Sequence, residues 1–210
     1  MSAAAATLAA AAPGVVDEAQ RDAIAEMVNI GMGQAGASLA RLFDAFIKLS
    51  VPRVQLVEPD TLADTLDALC GRDTPVTVAR QAFASRIRGE AIVFFTSASA
   101  EALGELVAFN GASTDELLLD VTNVLVGACI GGLAEQFGLD VGFSPPSLLG
   151  RRACATAVLA AAEMDWRRAL LAEVNFRVEG RAFRCHLLTF WPDASLAMLI
   201  EAADALLATI

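Results

Sequence analysis

The sequence predicts an α/β domain of the α+β kind. A mostly antiparallel sheet is layered against helices, and two related halves are set about a pseudo-twofold axis with two long helices side by side. Three observations predict this. A polar stripe recurs, at a fixed offset, in two otherwise apolar helical segments. Each half carries a strand pair with a glycine-centred turn signal. Both long helical segments hold small residues that let backbones approach: Gly31, Gly33, Ala35, Gly36 and Ala37 in one, Gly127, Ala128, Gly131 and Gly132 in the other.

The stripe begins with Asp22, Glu26 and Asn29, spaced i, i+4 and i+7. On a helix this spacing places three side chains along one line about 10 Å long. Ile24, Met27, Val28, Ile30, Leu39, Leu42 and Phe43 surround it and supply a buried side. Glu116, Asp120 and Asn123 repeat the spacing, and a proline follows each unit, Pro52 and Pro146. Asn29 and Asn123 are 94 residues apart, as are the two prolines. At the same offset Gly33 matches Gly127, Leu39 matches Leu133, Ala40 matches Ala134, Phe43 matches Phe137 and Ser50 matches Ser144. Self-similarity of this kind argues for two copies of one unit.

Taken in order, the chain opens with an Ala-rich stretch, residues 1–16, expected to be a disordered tail. It has no Lys or Arg before Arg21, so it lacks the charged start of a signal peptide. The first helix is expected from about Asp17 to Phe46, with a kink at Gly31 to Gly33. Alternation from Ile47 to Leu56 predicts a strand interrupted at Pro52. A short helix follows over Thr61 to Leu69, ending near Gly71. Val76 to Ile87 and Ala91 to Thr96 form a predicted hairpin turning at Arg88-Gly89-Glu90. Ser97 or Ser99 caps a helix through about Phe109, and Ser113 or Thr114 caps the second long helix through about Phe137. Val141 to Leu148 copies the first strand. Ala153 to Met164 fits a helix or a strand. Ala172 to Val178 and Phe183 to Trp191 give a second hairpin about Glu179-Gly180-Arg181, and Asp193 caps a final helix. The expected domain is residues 17–210, with halves at about 17–110 and 111–210.

Composition narrows the function classes. The net charge of −10 and pI near 4.5 argue against nucleic acid, whose phosphates require a Lys/Arg surface. The mean hydropathy of +0.54 with 6% aromatic residues points to a core made of Ala, Leu and Val. Cys70, Cys129, Cys154 and Cys185 are scattered, and His186 is the one histidine, so a zinc site or a His-based nucleophile is disfavoured. The cysteines read as reduced thiols of a cytoplasmic protein. The longest apolar run, Val124 to Ala134, is too short to span a bilayer, so no membrane partner is expected. Arg151-Arg152 reads as a solvated turn, and Trp166 and Trp191 as packing residues.

An asparagine is no base at neutral pH, but its amide can hold a water in a chosen orientation. That suits phosphoryl transfer, where positioning and charge compensation do most of the work; the glutamine that orients water in GTPases is the familiar case. The pattern Asp/Ser-x-x-x-Glu-x-x-Asn with a proline after 22 further residues resembles the CheC/CheX/FliY chemotaxis phosphatases. Its duplication, with NIGMGQA and NVLVGAC at matching places, is most similar to the two-site CheC branch. The resemblance runs from about residue 17 to the end.

The resemblance implies hydrolysis of the aspartyl phosphate of a phosphorylated CheY-type response regulator. It implies that Asn29 and Asn123 orient water, that Glu26 and Asp120 pair with the regulator's lysine, and that Asp22, Pro52, Glu116 and Pro146 support the motif. The Mg²⁺ would sit on the regulator, so no cofactor or metal ligand is expected in this chain. CheD, a receptor deamidase, is a further implied partner. With two sites per chain, a monomer is expected. The second site departs from the pattern, with Asp120 where the family has Glu and Glu116 where it has Asp or Ser. The shorter acid reaches about 1.5 Å less, which favours the first site. The alternative is a non-catalytic adaptor that binds a regulator or CheD. A repeated stripe with no partner at all is the bland alternative.

Overall fold

Asp17 starts the first long helix by a reciprocal cap. Its carboxylate accepts from the Gln20 backbone N–H at 2.8 Å, and the Gln20 side chain accepts from the Asp17 N–H at 3.0 Å. Helix α1 then runs without interruption over Glu18–Phe43 and ends where Asp44 turns left-handed at φ 47°. There is no break at Gly31 to Gly33; these glycines remain inside the helix. The computed structural model describes residues 16–50, 53–58, 60–72, 74–107, 113–161, 168–178 and 181–208. Pro52, Trp166 and all of the expected tail except Val16 lie outside these residues; Val16 is buried in the core.

After α1 come β1 (Ile47–Leu49), β2 (Arg53–Val57), α2 (Leu62–Cys70), β3 (Val76–Ala84), β4 (Arg88–Thr96) and α3 (Ser97–Val107). The order is then repeated by α4 (Thr114–Gln136), β5 (Gly142–Phe143), β6 (Ser147–Ala153), α5 (Ala155–Ala161), β7 (Arg168–Val178), β8 (Arg181–Trp191) and α6 (Asp193–Leu207). One eight-stranded sheet runs β1-β7-β8-β4-β3-β5, with β2 also on β7 and β6 also on β3. All its ladders are antiparallel. Read from either edge, the sheet presents the same succession of short strands, long hairpin and central β4–β8 ladder.

Strand alternation divides the core in two. Ala91, Val93 and Phe95 of β4 face α1, α4, α3 and α6, with Leu170, Val174, Leu187 and Trp191 from the second hairpin. Ile92 and Phe94 face the other way, where Leu62, Leu66 and Cys70 of α2 and Ala155 and Leu159 of α5 pack. Three layers result: helices, sheet, and a smaller helical cover.

Several expectations are corrected. The first hairpin turns at Ser85 to Ile87, where Ser85 N–H bonds Ile87 O at 2.7 Å, and Arg88-Gly89-Glu90 belongs to β4. Gly89 is needed for close approach instead: a Cβ there would lie 2.4 Å from Phe190 O. Thr96, not Ser97 or Ser99, caps α3 by accepting from Ser99 N–H at 3.2 Å. Pro192 is the cap residue of α6, and Asp193 is its first residue. The segment whose pattern fits either a helix or a strand holds α5. Arg151 and Arg152 lie in β6, paired with Asp115 and Glu101, and Arg152 is left-handed at φ 48°. Trp191 is core, its indole N–H bonded to Thr189 Oγ1 at 2.8 Å and its ring edge-on to Phe83.

Helices α1 and α4 lie against each other at a narrow point. A Cβ on Gly132 would stand 2.1 Å from Gly31 Cα, and one on Gly31 would stand 2.7 Å from Ala128 O. Gly33, Gly127 and Gly131 face open space, so only part of the small-residue stripe makes the crossing. Gln136 Nε2 ties the helices by donating to Met27 O and Gly132 O, both at 2.9 Å. By length and composition α4 could cross a membrane; 61% of that apolar window is buried against the sheet and its neighbours. The relevant apolar length is thus the whole helix, not the shorter uninterrupted run.

Candidate functional site

The buried side of α1 is set by Ile24, Met27, Val28, Met32, Ala35 and Leu39. Asp22 and Glu26 are consequently exposed, one turn apart, on its outer face. Asn29 follows but is half-buried, and its Oδ1 is buried without a protein hydrogen-bond partner. Ile30, beside it, is 53% exposed, the second most exposed large apolar side chain among the described residues. The first pair therefore consists of a free carboxylate, an amide whose oxygen is turned out of solvent, and an apolar neighbour.

Helix α4 is fixed by Leu117, Leu118, Val121, Leu125, Val126 and Cys129 on its inner face. Asp120 and Asn123 are both exposed on the other side. Glu116, expected as a third member of the stripe, has a structural role. It is the fourth residue of a capping box: its carboxylate accepts from Ser113 N–H at 3.0 Å, and Ser113 Oγ accepts from Glu116 N–H at 3.1 Å. Hydrogen bonding from the Ser113 backbone N–H, and then from the Ser113 side chain, holds the Glu116 carboxyl below its ordinary pKa. Pro146 sits half-buried between β5 and β6, where the missing N–H interrupts the edge pairing.

A residue that the motif does not include anchors the second pair. Gln81 in β3 is buried, and its Nε2 donates to Asn123 Oδ1 at 2.8 Å and to Ser144 O at 2.9 Å. An amide oxygen has two lone pairs, so this bond fixes the Asn123 carboxamide while leaving one acceptor position and both N–H donors. The signal is present in the sequence: Gln81 is a polar residue at an inward station of β3, between Ala79 and Phe83, which both enter the core. Among the described residues the first half has no such clamp. Ser144 N–H bonds Ala82 O and Ser50 N–H bonds Asn175 O, each at 2.9 Å, so Ala82 and Asn175 occupy matching stations. The residue before each is Gln81 in one half and Val174 in the other. Valine has no donor to offer, and Asn29 is the amide left with a buried, unpartnered oxygen.

The four central residues thus fall into two pairs on adjoining helices, not into one cluster. No group of three or more His, Cys, Asp or Glu is placed to hold a metal among the described residues. His186 is fully enclosed in β8, opposite Phe94 and Glu173, and takes no part in either pair. Cys70, Cys129 and Cys185 are buried free thiols; burial raises Cys129 and Cys185 to about 12. What the geometry offers chemically is an exposed carboxylate with a carboxamide one turn on, twice.

No known family's sequence profile matches the chain. Solved structures do share its fold. FliY of Thermotoga maritima superposes with a TM-score of 0.67 over 91% of this chain and 98% of that one, at 16% identity. The FliM middle domain from H. pylori gives 0.59 over 89% and 99%, at 8% identity. A FliG–FliM complex from H. pylori gives 0.57 over 89% and 100%, at 9% identity. The architecture is therefore one shared with FliY, a member of the family the motif resembles, and with the FliM middle domain.

Proposed function

We propose that this chain, built on the CheC/CheX/FliY fold, hydrolyses the aspartyl phosphate of a CheY-type response regulator. The observation that carries the reading is the pair of exposed carboxylates, Glu26 and Asp120, each one turn before an asparagine on the outer face of its helix. This is the arrangement the family resemblance assigns to water positioning and to the ion pair with the regulator's lysine.

In this mechanism the chain supplies no nucleophile of its own. A water held by the asparagine attacks phosphorus in line; the P–O bond to the regulator's aspartate breaks, the carboxylate leaves, and a water proton passes to the phosphate. The regulator's Mg²⁺ supplies charge compensation. The acid side chain engages the regulator's lysine and fixes the helix in register. Because the amide works by placement alone, its own orientation matters. Acid reach favours the first pair; amide presentation favours the second, where Gln81 holds an exposed Asn123. The amide touches the reacting water, so we assign the larger share of activity to Asn123.

The test is release of phosphate from phosphorylated regulator. Asn123→Ala is expected to remove most of the acceleration, Asn29→Ala a smaller part, and the double variant all of it. Unchanged acceleration in the double variant overturns the reading, and a greater loss from Asn29→Ala overturns the assignment between pairs.

A second reading is a non-catalytic adaptor for a regulator, for CheD or for a flagellar-switch component. Two observations favour it: the buried, unpartnered Asn29 oxygen, and the shared fold with FliM, a protein crystallised with FliG. Binding of phosphorylated regulator with no change in its lifetime would select this reading.

A further inference from the structure

Three adjacent strands bring three cations to one corner of the sheet. Lys48 of β1 stands directly opposite Arg177 of β7, and Arg184 of β8 stands opposite Asn175, two residues along β7. Directly opposed side chains lie about 5 Å apart at Cβ and diagonal ones about 7–8 Å, so the three charges share one patch. Asn175 and Arg177 alternate with Val174 and Val178, which enter the core under α1 and α4, so the patch is on the other face. It lines a cavity of about 730 Å³ whose described wall residues include no carboxylate; Glu173, just outside that wall, accepts from Asn175 Nδ2 at 3.2 Å.

Opposed like charges destabilise a ladder, and this chain has ten more acidic than basic groups from which to draw a neutralising partner. Neither Lys48 nor Arg177 has one among the described residues. Arg184 is aimed instead: its Nε donates to Asn175 Oδ1 at 3.0 Å, and Glu173 Oε1 lies 3.8 Å from that nitrogen. The remaining guanidinium donors have no partner among the described residues.

The wall also holds a hydroxyl pair with a proton to spare. Ser99 is 6% exposed, and its Oγ accepts from Arg184 N–H at 3.1 Å and from Thr96 Oγ1 at 3.1 Å. The Thr96 and Ser99 hydroxyls share one hydrogen bond between them, so one of their two O–H protons has no acceptor among the described residues. A hydroxyl pair with one proton left over, and two cations unpaired among the described residues beside a third shared with a single carboxylate, are complementary to one kind of ligand, an anion rich in acceptor oxygens.

We propose that this cavity binds a small phosphate-bearing molecule with three or more negative charges, of nucleotide size. Several oxygens on one or two phosphorus atoms satisfy the two arginine forks, the ammonium and the hydroxyl together. A dicarboxylate offers fewer charges than there are cations and underfills a cavity of drug-ligand volume. None of Glu26, Asn29, Asp120 or Asn123 lines it, so the site is separate from the acid–amide pairs and does not rest on their assignment.

The test is calorimetric titration of the full chain at low salt with pyrophosphate, ATP, succinate and a poly-glutamate peptide, with melting curves in parallel. Saturable binding of pyrophosphate or ATP is expected, with a ligand-dependent rise in Tm. Lys48→Ala with Arg177→Ala should weaken binding at least tenfold without lowering the ligand-free Tm, since it removes a repulsion. Ser99→Ala should weaken it several-fold. If ATP binds and pyrophosphate does not, the ligand is a nucleotide; the reverse means a bare phosphoanion. No saturable binding of either, equal binding by the double variant, or tighter binding of succinate or the peptide overturns the proposal. Should the double variant not fold, Arg177→Gln alone serves, with the same tenfold loss expected.

Discussion

At the scale of single residues, the described part of the molecule encloses several polar groups whose hydrogen-bonding is unequal. Gln81 is committed on two bonds, while His186, 1% exposed, has neither ring nitrogen paired. Burial holds the His186 imidazole below its ordinary pKa of 6.5; Glu173 opposes this and Arg184 adds to it. The unfolded chain therefore binds a proton that the folded chain refuses. The stability attached to this residue is complete above pH 6.5 and is lost as pH falls below it. His186→Leu is expected to raise stability by about 1 kcal/mol at neutral pH, by removing unpaired buried nitrogens. It should also flatten the fall in denaturation midpoint as pH drops below 6.5. A steeper acid dependence in the variant would contradict this. His186 was legible in the sequence as a residue of the predicted strand Phe183 to Trp191. Its complete enclosure was not, because Phe94 is brought opposite it by a pairing long in sequence.

At the scale of elements, the α1–α4 crossing decides which glycines matter. Gly132→Ala forces a methyl group onto Gly31 Cα, and the helix backbones must separate. A loss of about 1–3 kcal/mol or more is expected, as for overpacking in general. Gly131→Ala meets nothing within 4 Å inside the same helix and should gain about 0.5–1 kcal/mol from helix propensity. Urea denaturation of the two neighbouring variants checks both signs at once. Composition showed that the two helices carry small residues, and the structure bears out their adjacency. It could not say which of the six glycines lie at the contact, since neighbours on a helix differ by about 100° in direction. Gly89 gives the same lesson for strands. In the sequence it looks like a turn residue, whereas its missing side chain admits the Phe190 carbonyl. Capping was more readable: Ser113 and Gly138 lie where a helix that begins with a hydroxyl and stops on a left-handed glycine requires them.

At the scale of the whole molecule, the order of elements and the antiparallel layered sheet were legible because helix and strand periods are local signals. The 94-residue offset carried the placement of both polar pairs. What escaped was how the halves join. Gln81 reaches Asn123 only because β3 of the first half lies beneath α4 of the second, a contact no local pattern encodes. The acid–amide pairs were therefore visible as residues, while the difference between them, one clamped and one not, belongs to the assembled fold.

The edge strands have one more implication. β2 finishes the hairpin of the later half, and β6 finishes the hairpin of the earlier one, so each half wears its counterpart's hem. Severed polypeptides covering residues 1–110 and 111–210 should each be unstructured or sticky alone, yet regain the native circular dichroism spectrum when mixed, at a rate that depends on concentration. An independently folded fragment would show that the stitching is ornamental. If the fragments do complement, a gene of half this length would be viable only as a mutual embrace of two identical copies.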